Sequence, residues 1–179
     1  AAHIPVLLVQ ADEVVRPAIL WSDQRSTAEV AALAAEHGRQ LEAISLNEAG
    51  CTWTLPQLLW VWRHEPAVLA RVRLLLSSKD YLVYRLTGMP SMDYGSAAAT
   101  LMLDARTKTW SPDLTAMSRL PDSAFPKLVH PLAIVGRVCA AAAAAFALPQ
   151  GVPVVSGTLD SAAEMLGCGL LTPGAAGMV

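Results

Sequence analysis

The segment that most restricts the fold lies near the end of the chain, Val152 to Gly169, VPVVSGTLDSAAEMLGCG. The apolar run Val152 to Val155 reads as a buried strand. Ser156-Gly157-Thr158 reads as a turn, and the small-residue stretch from Ser161 to about Leu166 as a helix. One carboxylate, Asp160, stands at the junction. A strand that feeds a helix through a turn puts that turn at the carboxyl edge of a sheet, where α/β proteins place ligands. Two local readings of Asp160 stay open. Ser161 and Glu164 form an SxxE pattern, in which Ser161 is the N-cap and Asp160 is left to face a ligand. Alternatively, Asp160 is itself the cap.

The chain has 179 residues, enough for one domain with its own core. It is 54% hydrophobic and only 16% charged, apolar for a domain surrounded by water. The alanine run Ala140 to Ala145 supplies one explanation, and a lobe that packs against another body supplies a second. A net charge of −2 without a basic patch argues against nucleic acid as a partner. The longest apolar run, Val138 to Leu148, is too short to span a bilayer, so no membrane role is expected. The three cysteines, Cys51, Cys139 and Cys168, are odd in number and widely spaced. They read as buried free thiols in a reducing compartment, not as a disulfide framework or a zinc site. With no signal peptide, the expected location is cytoplasmic. The chain lacks an initiator Met, enters an apolar stretch almost at once and ends within another. It reads as truncated at both ends.

Taken in order, Ile4 to Val9 and Val14 to Trp21 read as strands joined by a hairpin turn. Ser26 and Glu29 form a capping box for a helix that Gly38 stops near His37, with Val30, Leu33 and Ala34 as its apolar stripe. Arg39 to Ala49 reads as a second short helix and a loop. A helix opens at Thr54-Leu55-Pro56 with Leu58, Leu59, Val61 and Trp62 inward, and Pro66 ends it or starts another. Ser78 caps a helix that Gly88 terminates. Met92 to Asp104 reads as a short helix and then a strand. Ser111-Pro112 starts a helix, Phe125 to Pro131 is loop, and Arg137 to Leu148 is an alanine-rich helix. Strands alternating with helices give an α/β class, with a mixed sheet flanked by helices.

Several segments, in order, resemble the FGGY family of carbohydrate kinases, most closely its xylulokinase-like members. They are AILWSDQRS (Ala18 to Ser26), LPQLLWVWRHEP (Leu55 to Pro66), SKDYLVYRLTG (Ser78 to Gly88), MDYGSAAATLMLD (Met92 to Asp104) and PVVSGTLDSAAEMLGCG (Pro153 to Gly169). The resemblance implies a ribonuclease H-like lobe of the actin and hexokinase type. It makes residues 1–179 a fragment of the N-terminal sugar-binding domain, with the ATP-binding C-terminal domain absent. It implies ATP-dependent phosphorylation of a sugar or polyol, a pentulose such as xylulose first, with ATP and Mg²⁺ held elsewhere in the full-length parent. A homodimer is left open.

The resemblance also implies roles for particular residues. Asp160 matches the family's general base, which accepts the proton of the attacking sugar hydroxyl. His3 falls where a Met-His pair contacts the sugar, although Ala2 and Ile4 flank it here. Trp21 and Asp23 occupy the WxD segment, an aromatic face and a carboxylate suited to a sugar, and Arg25 pairs with an acid to shape that loop. Thr52 or Trp53 helps set specificity. Ser161 stands where Asn follows the base in xylulokinases. Gln57 replaces a usual Lys, and Asp93, with Met92 where Thr is usual, reads as structural. Lys79 and Asp80 carry no chemistry in this reading. Departures at Thr52, Gln57, Ser161 and the position before His3 favour the alternative, a catalytically inactive binding or scaffold module of the actin-like superfamily. An α/β hydrolase lacks support, since no GxSxG elbow occurs.

Overall fold

The computed structural model describes residues 5–8, 13–170, 172 and 174. Eight strands and eight α-helices occur among them. The element order is β1 (Pro5–Leu8), α1 (Thr27–Ser45), α2 (Thr54–His64), α3 (Pro66–Leu69), β2 (Leu74–Ser77), α4 (Ser78–Thr87), β3 (Ser91–Asp93), α5 (Tyr94–Ala98), β4 (Leu103–Asp104), β5 (Thr109–Trp110), α6 (Pro112–Met117), β6 (Lys127–Val129), β7 (Ile134–Arg137), α7 (Ala140–Phe146), β8 (Pro153–Val155) and α8 (Asp160–Gly167). The mixed pairing expected of the sheet is distributed over four two-stranded ladders. β1 pairs antiparallel with β2, β3 parallel with β6, β4 antiparallel with β5, and β7 antiparallel with β8.

β1 makes its ladder with β2, far along the chain, and not with the segment that follows it. The expected second strand of a hairpin shrinks to the neighbourhood of Val14, where the Val15 amide donates to Leu7 O at 3.0 Å. Pro17 cannot donate to a ladder, and the chain leaves the sheet there.

α1 runs past Gly38 to Ser45 and ends at Leu46, whose left-handed backbone (φ 59°) returns its N–H to Glu42 O. Gly38 costs the helix about 1 kcal/mol relative to Ala, which does not stop it. Leu33 and Leu41 lie on one stripe and are both buried, so packing carries the helix through. The capping box expected at its start is not formed. Ser26 makes no side-chain cap bond, and Glu29 instead turns to Arg63 at 3.1 Å.

The main core gathers Leu33 and Leu41 of α1, Leu55, Leu58 and Val61 of α2, Leu75 of β2, and Leu101, Met102 and Leu114. Trp62 was expected inward but lies 41% exposed, with the Arg119 guanidinium over its ring. Pro66 begins α3, and Gly88 ends α4 with φ 74°, a conformation that favours Gly. α4 is capped one residue earlier than expected: Ser77, not Ser78, accepts from the Asp80 amide. Ser111 caps α6 and Pro112 takes its first position, as expected. The Met92 to Asp104 segment opens with a strand, β3, before its helix. Two short strands replace expected loop and helix: Lys127–Val129 is β6, and Arg137 closes β7 before α7 begins at Ala140.

β8 is the expected strand, but it lies at an edge, with Val155 47% exposed. All three cysteines are free; Cys51 and Cys139 are half-buried and Cys168 is exposed, against the expectation of burial. Among the described residues no helix is long and apolar enough to cross a membrane.

Candidate functional site

The described candidate residues fall on two shelves. The first is formed by the loop Leu20 to Ser26 and the loop Gly50 to Trp53 that leads into α2. Asp23 and Arg25 close the first loop on itself. Asp23 Oδ1 accepts from the Arg25 amide and Nε at 2.9 Å each, and Oδ2 accepts from Nη2 at 2.7 Å. These donors hold the Asp23 carboxyl below the usual carboxylate range. The Arg25 guanidinium also lies 4.8 Å from the centre of the Trp60 ring, which stacks on His64 at 4.6 Å. The expected pairing of Arg25 with an acid is present, and the acid is Asp23.

Gln57 ties the two loops together. It is fully buried, and its Nε2 donates to Cys51 O at 3.0 Å and to Leu20 O at 3.4 Å. A neutral amide therefore does at this position what a cation could not do without desolvation. Thr52 and Trp53 are half-buried on the second loop, and Trp53 packs against the main core. Trp21 keeps 54% of its surface in solvent. The structure thus brings Trp21, Asp23, Thr52 and Trp53 onto one pair of bonded loops. His3 lies outside the described residues.

The second shelf carries Asp160 and Ser161. Asp160 is exposed and is the first residue of α8, behind Leu159 at the N-cap. Its Oδ1 accepts from the Ser161 amide at 2.9 Å. The SxxE capping box centred on Ser161 is therefore not formed, since the helix begins one residue earlier. α8 has no buried residue.

A charged group that sequence reasoning set aside lies directly beneath this shelf. Lys79 Nζ binds Asp80 Oδ1, meets Asp93 Oδ1 at 3.0 Å and donates to the Ser156 carbonyl at 3.0 Å. Both acids are buried. Ser77 donates to Asp80 Oδ2 at 2.6 Å, yet burial still raises the Asp80 carboxyl above the usual range. Asp93 is the N-cap of α5. It accepts from the Gly95 amide at 2.9 Å and from the Ser96 hydroxyl, and Thr158 Oγ1 donates to its Oδ2 at 3.0 Å. The signal for this group was available: Lys79-Asp80 directly follows an apolar strand, where charged side chains must find partners on folding.

The shelves are linked through α5. Its capping residue Asp93 binds the second shelf, while Thr100, just past its end, accepts from the Leu55 amide at the start of α2 at 3.1 Å. α5 itself contributes five residues between these anchors, about 8 Å of helical rise. Among the described residues no three His, Cys, Asp or Glu side chains converge to hold a metal ion.

The comparisons with known proteins agree with this architecture. The model of the FGGY family of carbohydrate kinases, N-terminal domain, matches residues 2–167. The chain is 35% identical to the xylulose kinase of Bacillus subtilis (strain 168) over 172 residues, which is 96% of this chain and 34% of that protein. The crystal structure of xylulose kinase from Rhodospirillum rubrum superposes with a TM-score of 0.91 at 35% identity, covering 96% of this chain and 36% of that one. A xylulose kinase structure from Brucella ovis gives 0.89 at 38% identity, covering 96% and 35%.

The fold is that of the actin- and hexokinase-like sugar kinases, as expected. This chain belongs to the FGGY family of carbohydrate kinases and matches its N-terminal domain. It spans about a third of the length of the relatives it matches.

Proposed function

We propose that this chain is the sugar-binding side of a longer ATP-dependent carbohydrate kinase, with a pentulose of the xylulose type as substrate. The relatives matched over nearly the whole chain are xylulose kinases. The observation that carries the chemistry is the placement of Asp160: an exposed carboxylate in the first turn of α8, on a turn whose preceding residues are anchored to buried groups.

In this reading Asp160 takes the proton of one sugar hydroxyl. That oxygen attacks the γ-phosphorus of ATP, and the bond to the β-phosphate oxygen breaks, leaving ADP with the electron pair. Trp21 offers its exposed face to sugar C–H surface, and Thr52, Trp53 and Ser161 line the approach. Asp23 has both oxygens engaged by Arg25, so a sugar hydroxyl would share that carboxylate with the Arg25 donors. His3 belongs to the same proposed set by its place in the chain. Among the described residues no cluster of carboxylates, histidines or cysteines fits Mg²⁺. ATP dependence places the work in the cytoplasm.

The test is Asp160→Asn in the full-length kinase, assayed with xylulose and ATP. The expected result is a loss of kcat of at least about a hundredfold, with KM for the sugar changed by less than threefold. Full turnover by that variant overturns the assignment. A full-length wild-type protein that binds no ketose and turns over no ATP favours the inactive scaffold.

A further inference from the structure

The turn that delivers Asp160 is fastened at two points. The Ser156 carbonyl accepts from Lys79 Nζ, and Thr158 Oγ1 donates to Asp93 Oδ2, each at 3.0 Å. Lys79 and Asp93 also meet each other, at 3.0 Å. Lys79, Asp93 and the turn therefore form a closed circuit that joins α4, the α5 cap and the start of α8. Ser156 is buried, and Thr158 is half-buried. Gly157 between them has φ 72°, a backbone state few other residues adopt without strain.

Gly95 shows how closely the parts fit. A Cβ added there would stand 2.8 Å from Thr158 Oγ1 and 3.0 Å from Asp93 Oδ2. The α5 backbone thus approaches the Thr158 side chain so closely that a Cβ at position 95 would force that side chain to shift. Past the turn, α8 buries no residue of its own.

We infer that Thr158, Asp93 and Lys79 are positioning residues that aim Asp160, with the Thr158 hydroxyl as the link between the buried charges and the reacting shelf. This rests on the assignment of Asp160 as the base. None of the three touches substrate in this reading. Their effect runs through Leu159, the one residue between Thr158 and Asp160. A displacement of about 1 Å at a reacting group can cost on the order of a hundredfold in rate, so a fastening that fixes backbone position acts on turnover while leaving sugar binding intact.

The experiment compares Thr158→Val and Thr158→Ser in the full-length kinase, with Asp160→Asn alongside. Val keeps the branched shape and removes the hydroxyl; Ser keeps the hydroxyl and removes the methyl. The expected result is a fall in kcat of about ten- to a hundredfold for Thr158→Val, with KM for xylulose within twofold, and recovery to within about threefold of wild type for Thr158→Ser. Wild-type kcat in Thr158→Val overturns the inference, and so does equal loss in both variants, which would assign the effect to the packing of the whole side chain and not to the hydroxyl. A loss in KM alone overturns it too. If Thr158→Val does not yield folded enzyme, Thr158→Ala and its comparison with Ser answer the same question by the same readings. The underlying assignment is separated by Asp160→Asn: full turnover there removes the base itself, whereas an inactive Asp160→Asn beside an unaffected Thr158→Val removes only the positioning role.

Discussion

Two acid–base groups stand on the two shelves, and they are built in opposite ways. Asp23 and Arg25 lie two residues apart in a solvent-facing loop and close it with four hydrogen bonds of 2.7–3.0 Å. Lys79, Asp80 and Asp93 are drawn from α4 and β3, and both acids are buried. The distances are similar, but the consequences differ. An exposed pair is offset by water and side-chain entropy and contributes about 0–1 kcal/mol. A buried group has already left water, so removing one partner strands the others. The first pair shapes a loop; the second joins distant segments of the fold.

The largest expected effect comes from breaking the buried group. Lys79→Met leaves two carboxylates facing each other without a cation and should destabilise the protein by about 3–5 kcal/mol, read from urea denaturation. A loss below about 1 kcal/mol would place both groups in the same class and end the contrast. Gly95→Ala comes next. Its new Cβ forces the turn outward or makes Thr158 rotate and give up Asp93. Overpacking of this kind should cost about 1–3 kcal/mol by the same measurement. An unchanged midpoint would show that the approach of α5 to the turn is loose.

The smallest effect is the most discriminating, because it has opposite signs on the two shelves. Burial raises the Asp80 carboxyl, with Lys79 and Ser77 opposing and Asp93 reinforcing the shift. Its folded form favours the proton, so its contribution to stability is full below the ordinary aspartate pKa and lost as pH rises through the raised folded value. The Arg25 donors lower the Asp23 carboxyl. Its contribution is present above the ordinary value and lost as pH falls through the lowered one. The stability advantage of wild type over Asp80→Asn should therefore shrink as pH rises from the acid side, while the advantage over Asp23→Asn should grow. Urea midpoints measured across that range decide it, and equal signs would refute the assignment of burial to one and pairing to the other.

Much of the chain was legible because its boundaries rest on local chemistry. Ser111-Pro112, Pro66 and Gly88 act within one turn of themselves, and each marks an observed end. The misreadings share a different cause. Gly38 lies inside α1 because Leu33 and Leu41 bury the same stripe on either side of it, which no local rule weighs. β6 exists because β3 offers it a parallel partner many residues away. Ser26 and Glu29 have the spacing of a capping box, but Arg63 of α2 claims the carboxylate.

On the shelves, the position of Asp160 at a strand-to-helix junction could be read, since a turn between an apolar run and a small-residue helix is local. What could not be read was that Ser161 would yield the helix start to its neighbour, or that Lys79 would reach Ser156. Those depend on the meeting of segments remote in sequence.

The close approach of Gly95 to Thr158 also has a consequence for how this protein can change over generations. The two positions are far apart in the chain yet share one small volume. Alanine at 95 should be harmful beside threonine and far better tolerated beside alanine at 158, so the double variant should lose less than the two single losses added together. An evolutionary path that enlarges one position must first shrink the other, and a mutational library that varies them one at a time will miss the combinations that work.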